Sequence, residues 1–207
     1  MRTLTKEMQE SLSPAQCIKL LKDGNQRFVS NLKFNRNLLQ QVNETSDGQH
    51  PFAVILSCID SRTSAELIFD QGLGDIFSVR IAGNILNEDI LGSMEFSCKV
   101  AGAKVVVVLG HTKCGAVKGA CDGVKLGNLT TLLDKISPAI EEEKSVRQNR
   151  NSTNREFVDK VAMINVHLTI EQILEKSPIL NQMYRQKEID IVGGMYDVET
   201  GVIEFMN

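Results

Sequence analysis

The chain has 207 residues, of which 42% are hydrophobic and 24% are charged, and its formal net charge is -3. This is enough apolar sequence for a globular protein with its own core, and the absence of a basic run argues against a nucleic-acid or membrane-surface partner. The N-terminus has no apolar signal segment, and no run of about 18 apolar residues predicts a membrane span. Because the five cysteines form no disulfide-rich pattern, we expect a cytoplasmic protein.

The first predicted element is a helix over residues 13–29. Ser13 is expected to cap it, and Pro14 suits its first turn. Its apolar residues recur at helical spacing at Ile18, Leu21 and Phe28. The helix belongs to a predicted N-terminal helical arm over about residues 1–34. Nothing in this arm indicates catalysis.

Three short apolar runs predict buried parallel strands. The first covers residues 52–57 and ends at Cys58, and the second covers residues 76–81. The third covers residues 104–110 and ends at His111. It contains consecutive valines, whose branched side chains pack well in a sheet and poorly in a helix. These runs therefore predict the centre of a sheet.

Helices are predicted between and after these strands. Thr63 and Glu66 fit a capping box at the start of a helix that runs through Phe69. Further helices are expected over 90–100, after Gly115, over 129–143 and 157–174, and from Ser177, before a closing hairpin over 189–194 and 202–205. This alternation predicts an α/β fold, a mainly parallel β-sheet flanked by helices, in a single domain over residues 1–207.

Potential metal ligands follow two of the predicted strands. Cys58 and Asp60 come directly after the first, and His111 and Cys114 come after the third. Carboxyl ends of parallel strands meet at one edge of a sheet, where ligands gather. Thiolate and imidazole suit zinc, and three fixed ligands leave a fourth position for water or for a competing carboxylate. The sequence therefore predicts one Zn²⁺ per chain.

The surroundings of these ligands strengthen the prediction. In an extended chain Cys58, Asp60 and Arg62 share one face, so Arg62 can hold Asp60 in a bidentate ion pair. The small residues after Cys114 indicate that it opens a helix, whose dipole favours a thiolate. The remaining cysteines and histidines are interpreted as structural: Cys17, Cys98, Cys121, His50 and His167.

Cys-x-Asp-x-Arg followed by His-x-x-Cys-Gly resembles the β-class carbonic anhydrases. Residues 24–28, 80–84 and 193–198 are also similar to segments of that family, so the resemblance spans nearly the whole chain. It implies that zinc is bound by Cys58, His111 and Cys114. It also implies reversible hydration of carbon dioxide to bicarbonate and a proton, in a homodimer that can pair into a homotetramer.

The same resemblance implies a catalytic pair and a regulatory site. Asp60 and Arg62 correspond to the family's dyad, which orients a zinc-bound hydroxide as nucleophile, and Asp60 becomes the fourth ligand in a closed, inactive form. Members regulated by bicarbonate bind it with Trp, Arg and Tyr. Arg80 and Tyr196 match two of these, but Ile55 stands at the Trp position. We therefore expect the open form and no working regulatory site.

Five residues are expected to line the substrate cleft. Gln49 and Phe77 match family residues that line a cleft at the dimer interface, and Gly115 matches the glycine beside the last cysteine. Phe96 stands where many plant-type members have a cleft tyrosine, so a hydroxyl is missing. Phe77 and Ala82 can supply the small apolar pocket that carbon dioxide needs.

Other functions are compatible with the same residues. A zinc hydrolase acting on carbonyl sulfide or carbon disulfide would use the same nucleophile. A noncatalytic zinc protein would have Asp60 completing a closed site, although Arg62 argues against it by pulling Asp60 off the metal. A cysteine phosphatase is disfavoured, because Ser64 stands where that chemistry needs an arginine.

Overall fold

The computed structural model describes residues 3–206 and has a five-stranded sheet at its centre. The strands are β1 (Ala53–Ser57), β2 (Ile76–Arg80), β3 (Val105–His111), β4 (Asp190–Tyr196) and β5 (Ile203–Phe205). Their order in the sheet is β2-β1-β3-β4-β5, with β5 antiparallel to β4 and the other pairs parallel. The predicted fold class, a mainly parallel sheet flanked by helices, is confirmed.

Ten α-helices surround the sheet in the described part of the chain. They are α1 (Lys6–Ser11), α2 (Pro14–Val29), α3 (Leu38–Glu44), α4 (Ala65–Ile68), α5 (Glu88–Glu95), α6 (Gly115–Cys121), α7 (Gly127–Asp134), α8 (Ser137–Glu142), α9 (Arg155–Lys176) and α10 (Pro178–Arg185). Ser13 caps α2 as predicted, and the Gln16 side chain completes a capping box. No helix within residues 3–206 has the length and apolar character needed to cross a membrane.

The core lies on both faces of β1 and β3, whose residues are all buried. Alternate side chains point to opposite faces. One face packs against α5, α9 and α10 through Val54, Leu56, Val106 and Val108. The other packs against α2 and α4 through Ala53, Ile55, Val105, Val107 and Leu109. Burial on both faces explains why these strands are apolar throughout rather than alternating.

Several predicted element boundaries are wrong. The helix after the first strand begins at Ala65, and its N-cap Ser64 makes no side-chain capping bond. The Thr63 hydroxyl does not cap it, because it donates to backbone carbonyls of the preceding loop instead. The predicted helix over 129–143 is split into α7 and α8, and the one over 90–100 starts at Glu88 and ends in a π-helical turn, Phe96–Val100. The polar stretch before β1 contains α3, which the apolar pattern did not predict.

A glycine lets α9 lie close against the end of β3. A Cβ atom at Gly110 would lie 2.7 Å from both Met195 Sδ and Val166 Cγ2. Val166 is a buried residue of α9, so only glycine admits this approach. The helix therefore packs directly beside His111, the last residue of β3.

Candidate metal centre

The predicted ligands lie where the strand order reverses. The chain forms β1 first, then β2 on one side of it and β3 on the other. The connections after β1 and β3 therefore leave in opposite directions and open a crevice at the carboxyl ends of these strands. Cys58 directly follows β1, and His111 is the last residue of β3. Cys114 is the N-cap residue of α6, so the prediction that it opens a helix is confirmed.

Cys58, His111 and Cys114 form one compact buried group. Their ligand atoms all lie within 4.8 Å of one another, and the two sulfur atoms are 4.0 Å apart. In the described part of the chain, no other set of His, Cys, Asp or Glu side chains forms a potential metal site of this kind. All five cysteines are free, and the other three lie outside the group. Two thiols and an imidazole at this spacing can hold one metal ion.

The imidazole of His111 is oriented as a metal ligand. Its Nδ1 lies 2.9 Å from the carbonyl oxygen of Thr112, so Nδ1 carries the proton and donates it. The lone pair is then on Nε2, which is buried and has no hydrogen-bond partner. A buried polar atom without a partner is costly, and a metal ion would satisfy this one. The residues therefore fit a metal ion.

The two thiols also fit a cation. A hydrogen bond from Cys114 holds the pKa of Cys58 well below its usual value, and the resulting thiolate raises the pKa of Cys114. The backbone N–H groups of Ala116 and Val117, at the start of α6, act in the opposite direction on Cys114. Both sulfur atoms can therefore lose their protons together only when a cation compensates the second charge.

Asp60 is held by Arg62 beside the ligand group. Arg62 Nε donates to Oδ1 at 2.9 Å and Nη2 donates to Oδ2 at 2.8 Å, which is the predicted bidentate pair. The Arg62 backbone N–H adds a third bond to Oδ1 at 3.0 Å. The Arg62 guanidinium holds the pKa of Asp60 well below its usual range, so the carboxylate is ionised and accepts only. Its oxygen atoms are not part of the compact ligand group.

A glycine contributes a contact to the metal group that the sequence did not predict. The Gly83 N–H donates to Cys58 Sγ at 3.3 Å. Gly83 has φ +69°, and a Cβ atom there would lie 2.8 Å from Ile136 Cδ1. The Asn165 side chain donates to the Gly83 carbonyl at 2.9 Å and holds this turn in place. The only signal in the sequence is that Gly83 belongs to the Arg80–Asn84 segment that resembles the family.

The predicted cleft residues are less enclosed than the metal ligands. Phe77 is half-buried and its ring packs edge-on against Phe96, with ring centroids 6.3 Å apart. Phe96 is 53% exposed, Gln49 and Gly115 are exposed, and Ala82 is half-buried. Within residues 3–206, no hydrogen bond joins Gln49 to the metal group. The structure thus brings the two phenylalanines together but leaves this surface open.

Arg80 and Tyr196, the two matches to the family's regulatory anion site, lie at the ends of different strands. Arg80 ends β2 and Tyr196 ends β4, and β1 and β3 lie between them. Three strand spacings put the two backbones about 14 Å apart, and within residues 3–206 no hydrogen bond joins the two side chains. The Arg80 guanidinium instead contacts the backbone of the Cys58–Asp60 loop.

Sequence comparison finds one family over most of the chain. A profile described as carbonic anhydrase matches residues 53–203. Carbonic anhydrase 2 of Mycobacterium tuberculosis is 34% identical over 197 residues, which cover 91% of each chain. A carbonic anhydrase of Mycolicibacterium smegmatis is 32% identical over 198 residues, which cover 93% of each chain.

Solved structures agree with this assignment. A tetrameric β-carbonic anhydrase of Sordaria macrospora superposes with a TM-score of 0.69 at 25% identity, covering 78% of this chain and 83% of that one. A β-carbonic anhydrase of Aspergillus fumigatus has the same fold, with a TM-score of 0.73 at 24% identity, covering 93% of this chain and 89% of that one. The sequence matches, the shared fold and the thiol-imidazole group at the strand ends lead to one assignment: this chain belongs to the β-class carbonic anhydrase family.

Proposed function

We propose that this chain catalyses the reversible hydration of carbon dioxide to bicarbonate and a proton, with one Zn²⁺ held by Cys58, His111 and Cys114. The observation that carries the proposal is the buried, partnerless Nε2 of His111, directed by its Nδ1 hydrogen bond to act as a ligand beside two close thiols. The carbonic anhydrase relatives, similar over nearly the whole chain, support the same chemistry.

Zinc fits this donor set better than other common metals. Thiolate and imidazole select zinc over calcium and magnesium, which prefer oxygen ligands. Zinc would supply the Lewis acidity that lets water ionise near neutral pH, from a pKa of 15.7 toward about 7 in favourable sites. Two thiolates cancel the formal charge of the ion, so hydrogen bonds to the sulfurs matter. The Gly83 N–H withdraws charge from Cys58 Sγ and so works against this cancellation.

Asp60 and Arg62 would orient the attacking oxygen. Because the Asp60 carboxylate only accepts hydrogen bonds, the attacking oxygen must turn its O–H toward Asp60 and its free lone pair elsewhere. Arg62 holds both carboxylate oxygens, and this pairing would keep Asp60 from turning to the metal. We therefore propose the open form of the site, with the fourth ligand position free for water.

The cleft residues would bind the substrate on the outer side of the site. The Gln49 amide can donate a hydrogen bond to the substrate oxygen that becomes negative as the new bond forms. Phe77 and Phe96 supply an apolar wall, which suits a nonpolar molecule. Ala82 and Gly115 are small and leave room beside it. We infer each of these roles from the position of the residue and the chemistry of its side chain.

We propose that a second copy of the chain covers this surface. Exposed apolar side chains occur around the site and the segment before β1: Leu39 is 77% exposed, Ile59 61%, Phe96 53% and Val100 72%. Exposed large apolar side chains mark protein interfaces where they form a contiguous patch. A homodimer that can pair into a homotetramer accounts for this exposure, and the Sordaria macrospora relative is tetrameric.

The free cysteines fit a cytoplasmic location, where thiols stay reduced.

The direct test is an assay of the zinc-loaded protein with three substrates. Stopped-flow measurement of proton release with carbon dioxide should give a rate far above the uncatalysed one, and carbonyl sulfide and carbon disulfide should react much more slowly. Zinc-loaded protein without carbon dioxide hydration would overturn the proposal. A higher rate with either sulfur compound would identify the hydrolase alternative instead.

A further inference from the structure

The loop that carries Cys58 and Asp60 is held by two side chains. Neither of them contacts the sulfur or nitrogen atoms that would bind the metal. We propose that Thr63 and Arg80 are positioning residues of the catalytic site, and we call this pair the carbonyl clamp. They hold the backbone carbonyls of Cys58 and Asp60, and thereby fix the Asp60–Arg62 pair relative to the metal group. The inference deepens the proposed function and rests on it for its catalytic consequence.

Arg80 reaches the loop from the neighbouring strand. Its Nε donates to the carbonyl oxygen of Cys58 at 3.1 Å, and its Nη2 donates to the carbonyl oxygen of Asp60 at 2.6 Å. One planar guanidinium therefore spans both residues, which a lysine ammonium cannot do with the same geometry. Arg80 makes no ion pair with a carboxylate within residues 3–206. Its charge instead strengthens two hydrogen bonds to the loop backbone.

Thr63 holds the same two carbonyls from within the loop. Its hydroxyl lies 3.0 Å from the Cys58 carbonyl oxygen and 2.9 Å from that of Asp60. Its backbone N–H also donates to the Asp60 carbonyl at 3.0 Å. Thr63 is 1% exposed, so these bonds are shielded from water. Each carbonyl thus receives donors from two different elements, and the loop is fixed from both sides.

Fixing these carbonyls fixes the dyad. Cys58 would hold the metal on one side of Ile59, and Asp60 stands on the other side with its carboxylate turned toward Arg62. Ile59 is 61% exposed and gives this short link little anchorage of its own. Rotation of the Cys58–Asp60 backbone would move the carboxylate relative to the metal. The carbonyl clamp opposes this rotation.

The test uses variants that remove the clamp bonds with little change in volume. Thr63→Val deletes the hydroxyl, and Arg80→Lys deletes the fork while keeping the charge. Each should bind one zinc per chain, yet kcat per bound zinc should fall about 10-fold, as for other residues that orient groups around a metal. Thr63→Ser keeps the hydroxyl and should stay within about twofold of wild type.

A cobalt-substituted protein provides a readout that does not depend on activity. The visible absorption of Co²⁺ reports its ligands, so Thr63→Val and Arg80→Lys should change the spectrum and Thr63→Ser should not. Thr169→Val is the matched control. Thr169 is 3% exposed and its hydroxyl also donates to a backbone carbonyl, that of Asn165 at 2.7 Å, but inside α9. It should lower thermal stability without changing kcat per zinc or the spectrum.

The outcomes separate the two proposals. Wild-type protein that binds zinc but does not hydrate carbon dioxide overturns the proposed function, while the cobalt spectra still test the carbonyl clamp. Active wild-type protein, together with unchanged spectra and unchanged kcat per zinc in Thr63→Val and Arg80→Lys, overturns the carbonyl clamp. Loss of activity in Thr63→Ser equal to that in Thr63→Val would also overturn it.

Discussion

The metal group and the substrate cleft differ in how much of each lies within one chain. Cys58, His111 and Cys114 are between 1% and 4% exposed, and their orientation is set by neighbours in the same chain. The cleft residues Gln49 and Phe96 are exposed. One chain therefore carries all three ligands of the proposed zinc site, whereas we expect catalysis to need a second chain that covers the cleft.

The largest effect should come from removing a metal ligand. Cys58→Ala, His111→Ala and Cys114→Ala should each lose most of the zinc, because two ligands do not hold it tightly. Activity should fall on the order of 10³-fold or more, since no other group in the site lets water ionise near neutral pH. Metal analysis and the hydration assay on one preparation check both results.

The control for these variants is a cysteine outside the metal group. Cys121 is half-buried and free, and Cys121→Ala should keep one zinc and full activity. Full zinc occupancy in any of the three ligand variants would remove that residue from the ligand set.

The next largest effect should come from the dyad, which lies between the two regions. Arg62→Ala and Asp60→Asn should keep zinc but lose about 10²-fold in kcat, by freeing the carboxylate or by reversing its hydrogen-bond polarity. Lys125→Ala is the control, because it removes an exposed ion pair with Asp134 that includes neither a metal ligand nor a dyad residue. A wild-type rate in Arg62→Ala would exclude the dyad from catalysis.

Dilution should affect the substrate cleft but not the metal group, because only the cleft is expected to need a partner chain. If the cleft needs a partner chain, the rate per chain should fall more than about 10-fold on complete dissociation, while zinc stays at one per chain. Light scattering and the hydration assay over a concentration series provide the measurement. A fully active monomer would show that the cleft is complete in one chain.

A smaller effect is expected within the cleft. Gln49→Ala should lower kcat/KM about 10-fold, the value of one hydrogen bond to a developing charge, with zinc content unchanged. Gln40→Ala is a suitable control, because Gln40 is an exposed glutamine of α3 whose side-chain amide donates to Glu44. Equal rates for the two variants would remove Gln49 from substrate binding.

The smallest effect on catalysis should come from replacing Asp70, which anchors the Arg27–Arg36 segment that precedes the cleft residues in the sequence. The Asp70 carboxylate is 2% exposed and binds Arg27 and Arg36. Burial opposes its ionisation, but the hydrogen bonds from these arginines outweigh burial and lower its pKa. Asp70→Asn should therefore reduce the free energy of unfolding by about 3 kcal/mol at neutral pH, with the rate per folded chain nearly unchanged.

The pH dependence of this loss has a definite sign. A lowered folded-state pKa gives stability that is present above the unfolded value of about 3.9 and lost as pH falls through the folded value. The difference in thermal stability between wild type and Asp70→Asn should therefore shrink below about pH 4. A difference that stays constant down to acid pH would contradict the charge-based explanation.

The sequence predicted the metal group well because its signal is local. A cysteine or histidine at the end of an apolar strand identifies both the residue and its place, and parallel strands bring their carboxyl ends together. The bidentate Asp60–Arg62 pair was predictable for the same reason, since alternation along an extended chain places both side chains on one face.

The contacts that position this group were not predictable. Thr63 fits a capping box with Glu66 locally, but in the fold its hydroxyl binds the carbonyls of the Cys58–Asp60 loop. Arg80 matches an anion ligand of the bicarbonate-regulated members, but in this fold it binds the same backbone carbonyls. Backbone acceptors leave no residue pattern in the sequence, so such bonds become visible only in three dimensions. The substrate cleft is harder still to predict from the sequence, because the surface proposed to cover it belongs to another chain.

The most direct test of zinc-dependent hydration is a titration of the metal-free protein with zinc. The rate of carbon dioxide hydration and the amount of bound zinc are measured at each point. We expect the rate to rise in proportion to bound zinc and to reach its plateau at one zinc per chain. In Cys58→Ala neither the bound zinc nor the rate should rise. A plateau at a different stoichiometry, or full zinc binding without any hydration of carbon dioxide, would contradict it.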